Sequence, residues 1–212
     1  MIICPVQAFD MPQIMNIERQ SFIPGIQEKR RVFEKRLKAF PQGFLALADC
    51  SDKLVLERGS ALVCAYLCCE RWDFLPDFSE TKLLQKRFAL GHNPLFTHKE
   101  TGCFLYVSSF ALLKDYRGRG LGQKFFQNCL AALCSSMPEI RKVVILVDSE
   151  WETALKIYRK LGFKEEKVLA GFFPTIQKKV SANGLIMTCD ADSFRNIEFP
   201  SSSNELSGIK ID

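Results

Sequence analysis

The stretch Tyr116-Arg117-Gly118-Arg119-Gly120-Leu121-Gly122 decides the fold, because an apolar run (104–113) precedes it and an apolar-periodic run (121–134) follows it. This order predicts a strand, a glycine-rich turn and a helix. Three glycines at alternate positions leave backbone N–H groups bare where the helix begins, and such groups bind anions together with the helix dipole. The two arginines can each hold a phosphate through paired hydrogen bonds. The turn therefore predicts a site for a ligand that carries a diphosphate.

Other glycine-rich sites fit this stretch less well. A dinucleotide fingerprint would follow the first strand and be followed by an acidic residue, whereas these glycines come after several predicted strands. A P-loop would need Gly-Lys-Ser/Thr, which is absent. A single short Arg-Gly copy between a strand and a helix argues against a disordered RNA-binding segment. A turn that merely needs positive φ would explain one glycine and not three.

Hydrophobic periodicity predicts the rest of the chain. Asp10 and Gln13 have the spacing of a capping box at the start of the first helix. The strand before the glycine-rich turn is apolar almost throughout, which predicts a central strand, and the strand after the following helix should pair with it in parallel. Strands are predicted over 2–6, 43–49, 59–70, 103–113, 143–147, 163–169 and 184–189. Helices are predicted from Asp10 and over 27–39, 80–90, 121–134 and 152–161, and Gly162 ends the last of them.

Two segments stand apart from this pattern. Residues 71–102 are an insertion, and its loop holds the two histidines of the chain, His92 and His98, which we expect at the surface. From Ser193 the chain is polar and serine-rich (Ser201 to Ser203), which predicts a disordered tail. The insertion is rich in aromatic residues, as a lid over an apolar ligand would be, although docking of the insertion on the core would explain them equally well.

Composition excludes several classes. The 212 residues are 47% hydrophobic and 25% charged, as in ordinary soluble proteins, and no apolar run reaches the roughly 18 residues that span a bilayer. The amino terminus lacks the basic residues of a secretory signal. The nine cysteines have no zinc or redox spacing, which indicates reduced thiols in a cytoplasmic protein. The net charge of +5 is not clustered. We therefore expect no metal, no membrane partner and no nucleic-acid partner.

Two blocks carry a resemblance to a known family. Arg117-x-x-Gly120-x-Gly122 resembles the acetyl-CoA signature of the GNAT acyltransferase superfamily, and Ala154-x-x-x-Tyr158-x-x-x-Gly162-Phe163 resembles that family's A-x-x-x-Y-x-x-x-G-F motif. The resemblance implies an α/β (α+β) domain over 1–190, with 71–102 as its insertion or lid and 191–212 as a polar tail. It also implies a mixed, mostly antiparallel, twisted sheet of about six or seven strands and about four helices, with a central parallel pair splayed to admit acetyl-CoA.

Within the superfamily, the chain resembles the arylalkylamine (serotonin-type) N-acetyltransferases most. The similarity lies in Ile17-Glu18-Arg19-Gln20-Ser21-Phe22, in Cys69-Glu70-Arg71-Trp72-Asp73 and in the insertion. Two positions depart from that subfamily. Its paired histidines on the signature strand correspond to Tyr106 and Ser108 here, and Trp151 stands where many family members have asparagine.

The resemblance implies direct transfer of an acetyl group from acetyl-CoA to a primary amine, in particular a small (aryl)alkylamine. Tyr158 would be the general acid that protonates the leaving thiolate. A backbone N–H of the signature strand could polarise the acetyl carbonyl. Acetyl-CoA would be bound by Phe110, Ala111, Leu112, Arg117, Gly118, Arg119, Gly120, Leu121, Gly122, Gln123 and Tyr158. The protein would be a monomer or a homodimer.

The group that takes the proton from the amine stays open at this point. Candidates for a base or relay are Glu70 and Asp73, at the end of one strand, and Tyr106 and Ser108, acting through ordered water. Two other functions also stay open: acetylation of lysine or N-terminal amines of proteins, and a non-catalytic sensor that binds acyl-CoA on the same fold.

Overall fold

The structure, a computed structural model, describes residues 1–50, 61–174, 181–197 and 209–211. Its strands are β1 (Ile2–Pro5), β2 (Phe44–Asp49), β3 (Leu62–Trp72), β4 (Phe104–Leu112), β5 (Lys142–Asp148), β6 (Lys164–Phe173), β7 (Ala182–Asp190) and β8 (Ile209–Lys210). Its α-helices are α1 (Met11–Ser21), α2 (Arg30–Ala39), α3 (Thr81–Arg87), α4 (Pro94–Thr97), α5 (Leu121–Ser136), α6 (Glu152–Lys160) and α7 (Asp192–Arg195). Residues 59 and 60 of the predicted third strand lie outside the described part.

The strands form one 8-stranded sheet in the order β6-β7-β5-β4-β3-β2-β1-β8. β4 and β5 are parallel, and the other neighbouring strands are antiparallel. The predicted mixed, mostly antiparallel sheet with a central parallel pair is therefore confirmed. α5 connects the two parallel strands and packs on one face of the sheet, as a crossover helix should.

The parallel pair separates along its length. Phe104–Val107 pair with Lys142–Ile145. Beyond that point, β4 remains paired with β3 up to Leu112, while β5 remains paired with β7 up to Asp148. Within the described strands, no further β4–β5 pairing follows, so a wedge opens between the carboxyl ends of β4 and β5 and leaves one edge of β4 free.

A β-bulge lies where the two strands part. Cys69 pairs with Val107 and Cys68 pairs with Ser109, so Ser108 is the extra residue of β4. A bulge reverses the side to which later residues point. Val107 faces α5 before the bulge and Phe110 faces it afterwards. Ser109 is consequently turned to the opposite face, where its hydroxyl lies 2.9 Å from the Tyr66 hydroxyl.

The two faces of the sheet bury separate cores. α5 and α6 cover one face, where Phe125, Phe126 and Tyr158 are buried. α1 and α2 cover the other face near Phe33, Phe44 and Tyr66. The insertion docks on the same face farther along, where Trp72 and Phe88 contact Tyr106. Trp72 and Phe88 thus dock the insertion on the core, whereas Phe74 and Phe96 remain exposed.

The capping box predicted at Asp10 is wrong. The Asp10 carboxylate accepts a hydrogen bond from the Gln7 N–H (2.8 Å), which closes a turn before α1, and it makes no cap bond to α1 itself. Gln13 instead bonds at the start of β3: its amide donates to the carbonyl of Ala61, just before the strand (3.2 Å), and accepts from the Val63 N–H (3.0 Å). Tertiary contact with the sheet has replaced the local cap.

The disordered tail predicted from Ser193 is wrong in two places. α7 buries Phe194, and the Arg195 guanidinium donates to the carbonyls of Cys134 and Pro138 (both 3.0 Å). β8 adds to the edge of β1, and Ile211 behind it is buried. Ser201 to Ser203 lie outside the described residues. None of the described helices has the length and hydropathy that crossing a bilayer requires.

Candidate functional site

The wedge between β4 and β5 opens into a cleft of about 710 Å³, which we call the outer cleft. β4, the glycine-rich turn, the start of α5 and the first turns of α6 line it. It brings together nine of the predicted cofactor residues: Phe110, Ala111, Leu112, Arg117, Gly118, Gly120, Gly122, Gln123 and Tyr158. Arg119 and Leu121 do not line it. Arg119 is exposed, and Leu121 packs against the core.

The glycines of the turn have two different roles. Gly118 (φ 77°) and Gly120 (φ 75°) adopt left-handed conformations that side chains disfavour, so positive φ accounts for two of the three glycines. Gly122 lies in the first turn of α5 and faces the Leu112 side chain, 3.4 Å from the position of a Cβ. A larger side chain at Gly122 would project into the outer cleft.

Arg117 is held by the protein rather than free in the cleft. Its Nε and terminal nitrogen donate to the Leu112 carbonyl (3.0 and 2.8 Å), and the same terminal nitrogen donates to the Ser21 hydroxyl (2.7 Å). The side chain therefore ties the end of β4 to the end of α1. Its positive charge remains beside the outer cleft, but the backbone N–H groups at the start of α5 are the better placed anion donors.

A smaller cavity of about 80 Å³, the inner pocket, lies behind the outer cleft. Seven aromatic residues line it: Phe22, Phe88, Tyr106, Phe110, Trp151, Tyr158 and Phe173. Its polar lining residues are Glu18, Glu28, Arg36, His92, Ser108 and Ser109. The insertion contributes residues 88–92 to this wall, so part of the inner pocket belongs to the segment expected to act as a lid.

Tyr158 lies at the junction of the two cavities, because it lines both of them. Its ring packs against Phe126 and Phe163, with centroids 5.1 and 5.8 Å away. Burial raises the pKa of the Tyr158 phenol above its usual value. The hydroxyl is therefore protonated at neutral pH and can act as a proton donor.

Glu70 has the environment of a structural carboxylate. Arg36 and Thr97 bond to it, His92 Nε2 lies 2.6 Å from one oxygen, and the Trp72 indole donates to the other (3.2 Å). Burial alone would raise the pKa of Glu70, but the bond to His92 and the charge of Arg36 lower it to about 2. A carboxylate that is so weakly basic and fully bonded does not suit a general base.

The other three candidates are placed differently. The Asp73 carboxylate is half exposed and lies 3.9 Å from Arg87, outside the inner pocket. Tyr106 lines the pocket but stacks on Trp72 (centroids 4.2 Å apart), and burial raises the pKa of its phenol. The Ser108 hydroxyl donates to the Cys68 carbonyl (3.0 Å). Tyr106 and Ser108 can therefore line the inner pocket or pass a proton on to another group, but neither has the chemistry of a base at neutral pH.

We expected the two histidines at the surface, but both are largely buried. His92 Nδ1 lies 2.9 Å from the Ala89 carbonyl, and the side chain is 10% exposed. His98 accepts a hydrogen bond from the Arg71 N–H (3.1 Å) and stacks on Phe40. Burial lowers the pKa of His98. Both histidines anchor the insertion to the body of the protein.

The sequence reasoning missed Glu18, a buried acid on α1 that lines the inner pocket. Its carboxylate accepts hydrogen bonds from the Tyr66 hydroxyl and from the Glu28 N–H (2.7 Å). Glu18 follows Met11 and Ile14 along the buried stripe of α1, and an acid on an apolar stripe was the available signal. Among the described residues, no group of three or more His, Cys, Asp or Glu is arranged to hold a metal ion.

Comparisons with known proteins agree with this geometry. Residues 88–165 match the family model described as an acetyltransferase (GNAT) domain. A search of curated protein sequences finds no significant match. The Arabidopsis thaliana NAA60 structure in complex with acetyl-CoA is similar over 91% of this chain and 99% of its own, at TM-score 0.65 and 16% identity.

Two further solved structures share the fold. The ribosomal-protein-S18-alanine N-acetyltransferase from Escherichia coli is similar over 89% of this chain and 92% of its own, at TM-score 0.59 and 13% identity. The GphF GNAT-like decarboxylase in complex with isobutyryl-CoA is similar over 89% and 98%, at TM-score 0.67 and 13% identity. These findings do not support the narrower resemblance to the serotonin-type subfamily. The family match spans the signature turn and Tyr158, and the fold that this chain shares with these structures extends over most of its length.

Proposed function

We propose that this protein is an acetyl-CoA-dependent N-acetyltransferase that acts on a small primary amine, with Tyr158 as the general acid. The observation that carries the proposal is the position of Tyr158 between the outer cleft and the inner pocket. The outer cleft would bind the donor and the inner pocket would bind the acceptor. The phenol then lies where the acetyl group would pass from one to the other.

The outer cleft has the features that acetyl-CoA needs. Backbone N–H groups at 118–123 and the start of α5 would bind the pyrophosphate. The free edge of β4 at Phe110, Ala111 and Leu112 would pair with the pantetheine amides, as an added strand would. The thioester would then lie in the wedge beside Tyr158, and a β4 N–H there would polarise its carbonyl.

The transfer would proceed by direct attack. The neutral amine forms the new C–N bond at the thioester carbonyl, the C–S bond breaks, and the Tyr158 hydroxyl gives its proton to the departing thiolate. A phenol with a pKa of about 10 donates its proton uphill to a thiolate whose thiol has a pKa of about 8.5. Burial raises the pKa of Tyr158 further. The same apolar surroundings also raise the pKa of the thiol, so the difference between the two pKa values stays similar.

The inner pocket supports a small acceptor. The inner pocket is much smaller than the outer cleft, about 80 Å³ against about 710 Å³, and aromatic side chains surround it. A short primary amine with an apolar or aromatic tail fits such walls. Glu18 and Glu28 line the same pocket and would favour the positively charged form in which amines arrive.

A second candidate, acetylation of a polypeptide N-terminus, is supported by a different observation. A recess of about 350 Å³ shares Ile26, Glu28 and residues 90–92 with the inner pocket and continues from it beside α2. A peptide could place its first residue in the pocket and run out along this recess. The NAA60 structure in complex with a bisubstrate analogue shares the fold at 15% identity.

One experiment separates these candidates. The protein is incubated with acetyl-CoA and either small arylalkylamines or peptides with free N-termini, and thiol release and acetylated product are measured. The proposal expects release with small amines, whereas release with peptides alone would favour the second candidate. Binding of acetyl-CoA without transfer to any acceptor would identify an acyl-CoA sensor and overturn the proposal.

We assign the domain to residues 1–190 together with α7 and β8, which dock on its sheet, and residues 71–102 form the lid. All nine cysteines are free thiols. Free thiols fit a reducing compartment, which supports a cytoplasmic enzyme. The proposed partners are acetyl-CoA and the amine, and the protein would act as a monomer or a homodimer.

Gly122→Trp should abolish the rise in melting temperature that acetyl-CoA produces, because the indole would fill the outer cleft beside Leu112. Gly122→Ala is the matched control. Its Cβ would make an ordinary contact 3.4 Å from Leu112, so the shift should persist. Thermal melting with and without millimolar acetyl-CoA measures both. Equal melting shifts in the two variants would contradict the binding of acetyl-CoA in this cleft.

A further inference from the structure

We propose that Glu18 takes the proton from the acceptor amine and binds the acceptor as its ammonium ion. This inference rests on the proposed function and fills the role for which Glu70, Asp73, Tyr106 and Ser108 are poorly suited. It also assigns a chemical requirement to the acceptor: a primary amine that is protonated when it enters the inner pocket.

The geometry places Glu18 in the wall of the inner pocket together with Tyr158. Its side chain comes from α1 and points to the face of the sheet to which the bulge turns Ser109. One carboxylate oxygen accepts from the Glu28 N–H (2.7 Å) and the other from the Tyr66 hydroxyl, which also lies 2.9 Å from the Ser109 hydroxyl. Each oxygen has two lone pairs, so one acceptor position on each remains for an ammonium donor.

Glu18 has no salt-bridge partner among the described residues, although the charge of Arg36 lowers its pKa. Tyr66 of β3 bonds to Glu18 directly, and Ser109 of β4 bonds in turn to the Tyr66 hydroxyl. The charged groups nearby are Glu28 and Arg36, on the side of α2. Arg36 pairs with Glu70 and with Glu28 (3.3 Å), and no salt bridge to Glu18 is formed by the described residues. An incoming ammonium ion would supply the missing positive charge.

Two nearby carboxylates therefore differ strongly in basicity. Burial raises the pKa of Glu18 to about 7, against the lowering by the Tyr66 and Glu28 bonds, whereas the pKa of Glu70 is about 2. A base works best when its pKa lies near the working pH. Carboxyl groups whose environments push their pKa values apart identify the acid and base positions of a site. Glu18 has the properties of the base, and Glu70 those of the structural anion.

The proton balance is complete with these groups. Ionised Glu18 takes one proton from the ammonium ion, directly or through a water molecule, and the neutral amine attacks the thioester carbonyl. As the C–S bond breaks, Tyr158 protonates the departing sulfur, and the second amine proton passes to the resulting Tyr158 phenolate, directly or through a water molecule. Tyr158 is thereby restored, and Glu18 gives its proton to solvent.

The pH dependence of kcat/KM, based on total amine, tests this assignment. In wild type, kcat/KM should fall below pH 7 and stay level from there to the amine pKa near 10.4, because ionised Glu18 acts on the ammonium form. In Glu18→Gln, kcat/KM should be lower by about 10²–10⁴-fold at pH 7.5. It should then rise tenfold per pH unit up to the amine pKa, because only the neutral amine can react.

Three further variants separate catalysis from folding. Glu34→Gln removes the same charge from an exposed position on α2 (52% side-chain exposure) and should keep the wild-type profile. Tyr66→Phe removes a bond that lowers the pKa of Glu18, so the acidic limb should move to higher pH. Glu18→Asp, which keeps the carboxylate, should restore the level region of the kcat/KM profile at reduced kcat.

The stability of the fold gives a separate check. Because the pKa of Glu18 is raised on folding, Glu18 stabilises the fold below pH 4.5 and loses this contribution as pH rises through 7. Glu18→Gln should therefore melt no lower than wild type at pH 8.

The outcomes are distinct. An active wild type with an unchanged profile in Glu18→Gln would overturn the role of Glu18 and leave the proposed function standing. A level profile above pH 7 in Glu18→Gln would do the same. A wild type that acetylates no amine while binding acetyl-CoA would overturn both proposals.

Discussion

Glu70→Gln should lower the free energy of unfolding by about 3–5 kcal/mol, the cost of breaking a buried ion pair. The Glu70 carboxylate bonds both to Arg36 of α2 and to three residues at the insertion, Trp72, His92 and Thr97. Glutamine keeps the shape but removes the charge and turns an amide N–H₂ toward groups that donate. Arg36 would then be left buried with only Glu28 beside it.

Thermal melting measures this effect. For a chain of this length, the expected loss corresponds to a drop of about 6–20 °C in melting temperature. Glu165→Gln is the matched control, because Glu165 pairs with Arg159 at the surface, with side-chain exposures of 43% and 54%. Its expected cost is below about 1 kcal/mol. If the two variants melted alike, the Glu70 cluster would not hold the insertion.

The effect of Glu70 should depend on pH in a definite direction. Its pKa falls on folding from 4.5 to about 2, so its stabilising contribution is complete above pH 4.5 and is lost as pH falls through 2. The free energies of unfolding of wild type and Glu70→Gln should therefore become equal as the pH falls toward 2. A constant difference between pH 7 and pH 2 would contradict the assignment of Glu70 as a buried anion.

Tyr158→Phe should lower kcat by about 10²–10⁴-fold, the range for loss of a general acid. Phenylalanine keeps the ring packing against Phe126 and Phe163 and removes only the hydroxyl. The melting shift with acetyl-CoA should therefore persist. Thiol release under saturating acetyl-CoA and amine measures the loss.

Two controls sharpen this test. Tyr116→Phe removes a hydroxyl that donates to Asp49 (2.9 Å), and Tyr116 does not line the outer cleft, so kcat should stay close to wild type. An acetyl thioester with a more acidic leaving thiol needs less protonation, so Tyr158→Phe should lose less activity on that donor. An equal loss on both donors would assign Tyr158 to positioning rather than to proton transfer.

The lining of the outer cleft could be predicted because its signals are local. The glycines at 118, 120 and 122 and the spacing to Tyr158 lie within one strand–helix–strand–helix unit. The prediction failed where tertiary structure decides. The bulge at Ser108 reverses the alternation of β4, so the polar side chain that reaches the Glu18–Tyr66 pair is Ser109. A period-two reading of the sequence selects Ser108 instead.

The acceptor half depends on contacts between distant segments. Glu70 looked like a base at a strand end until His92 and Thr97, more than twenty residues later in the chain, were found bonded to it. His92 looked exposed because the insertion has no periodicity that predicts its docking. Glu18 was visible as an acid on the buried stripe of α1, but its meaning depends on Tyr66 and Glu28, which only the fold brings to it.

The separation of β4 from β5 has a consequence for the sheet as a whole. Only Phe104–Val107 join the β1–β4 part to the β5–β7 part by strand pairing in the described chain. Sheet segments joined so briefly can open as separate cooperative units, and amide hydrogen exchange reports such openings. A pantetheine arm in the wedge would act as the absent length of strand. The donor substrate would thus couple two halves of the sheet that share few backbone hydrogen bonds, and bound acetyl-CoA should slow amide exchange in both.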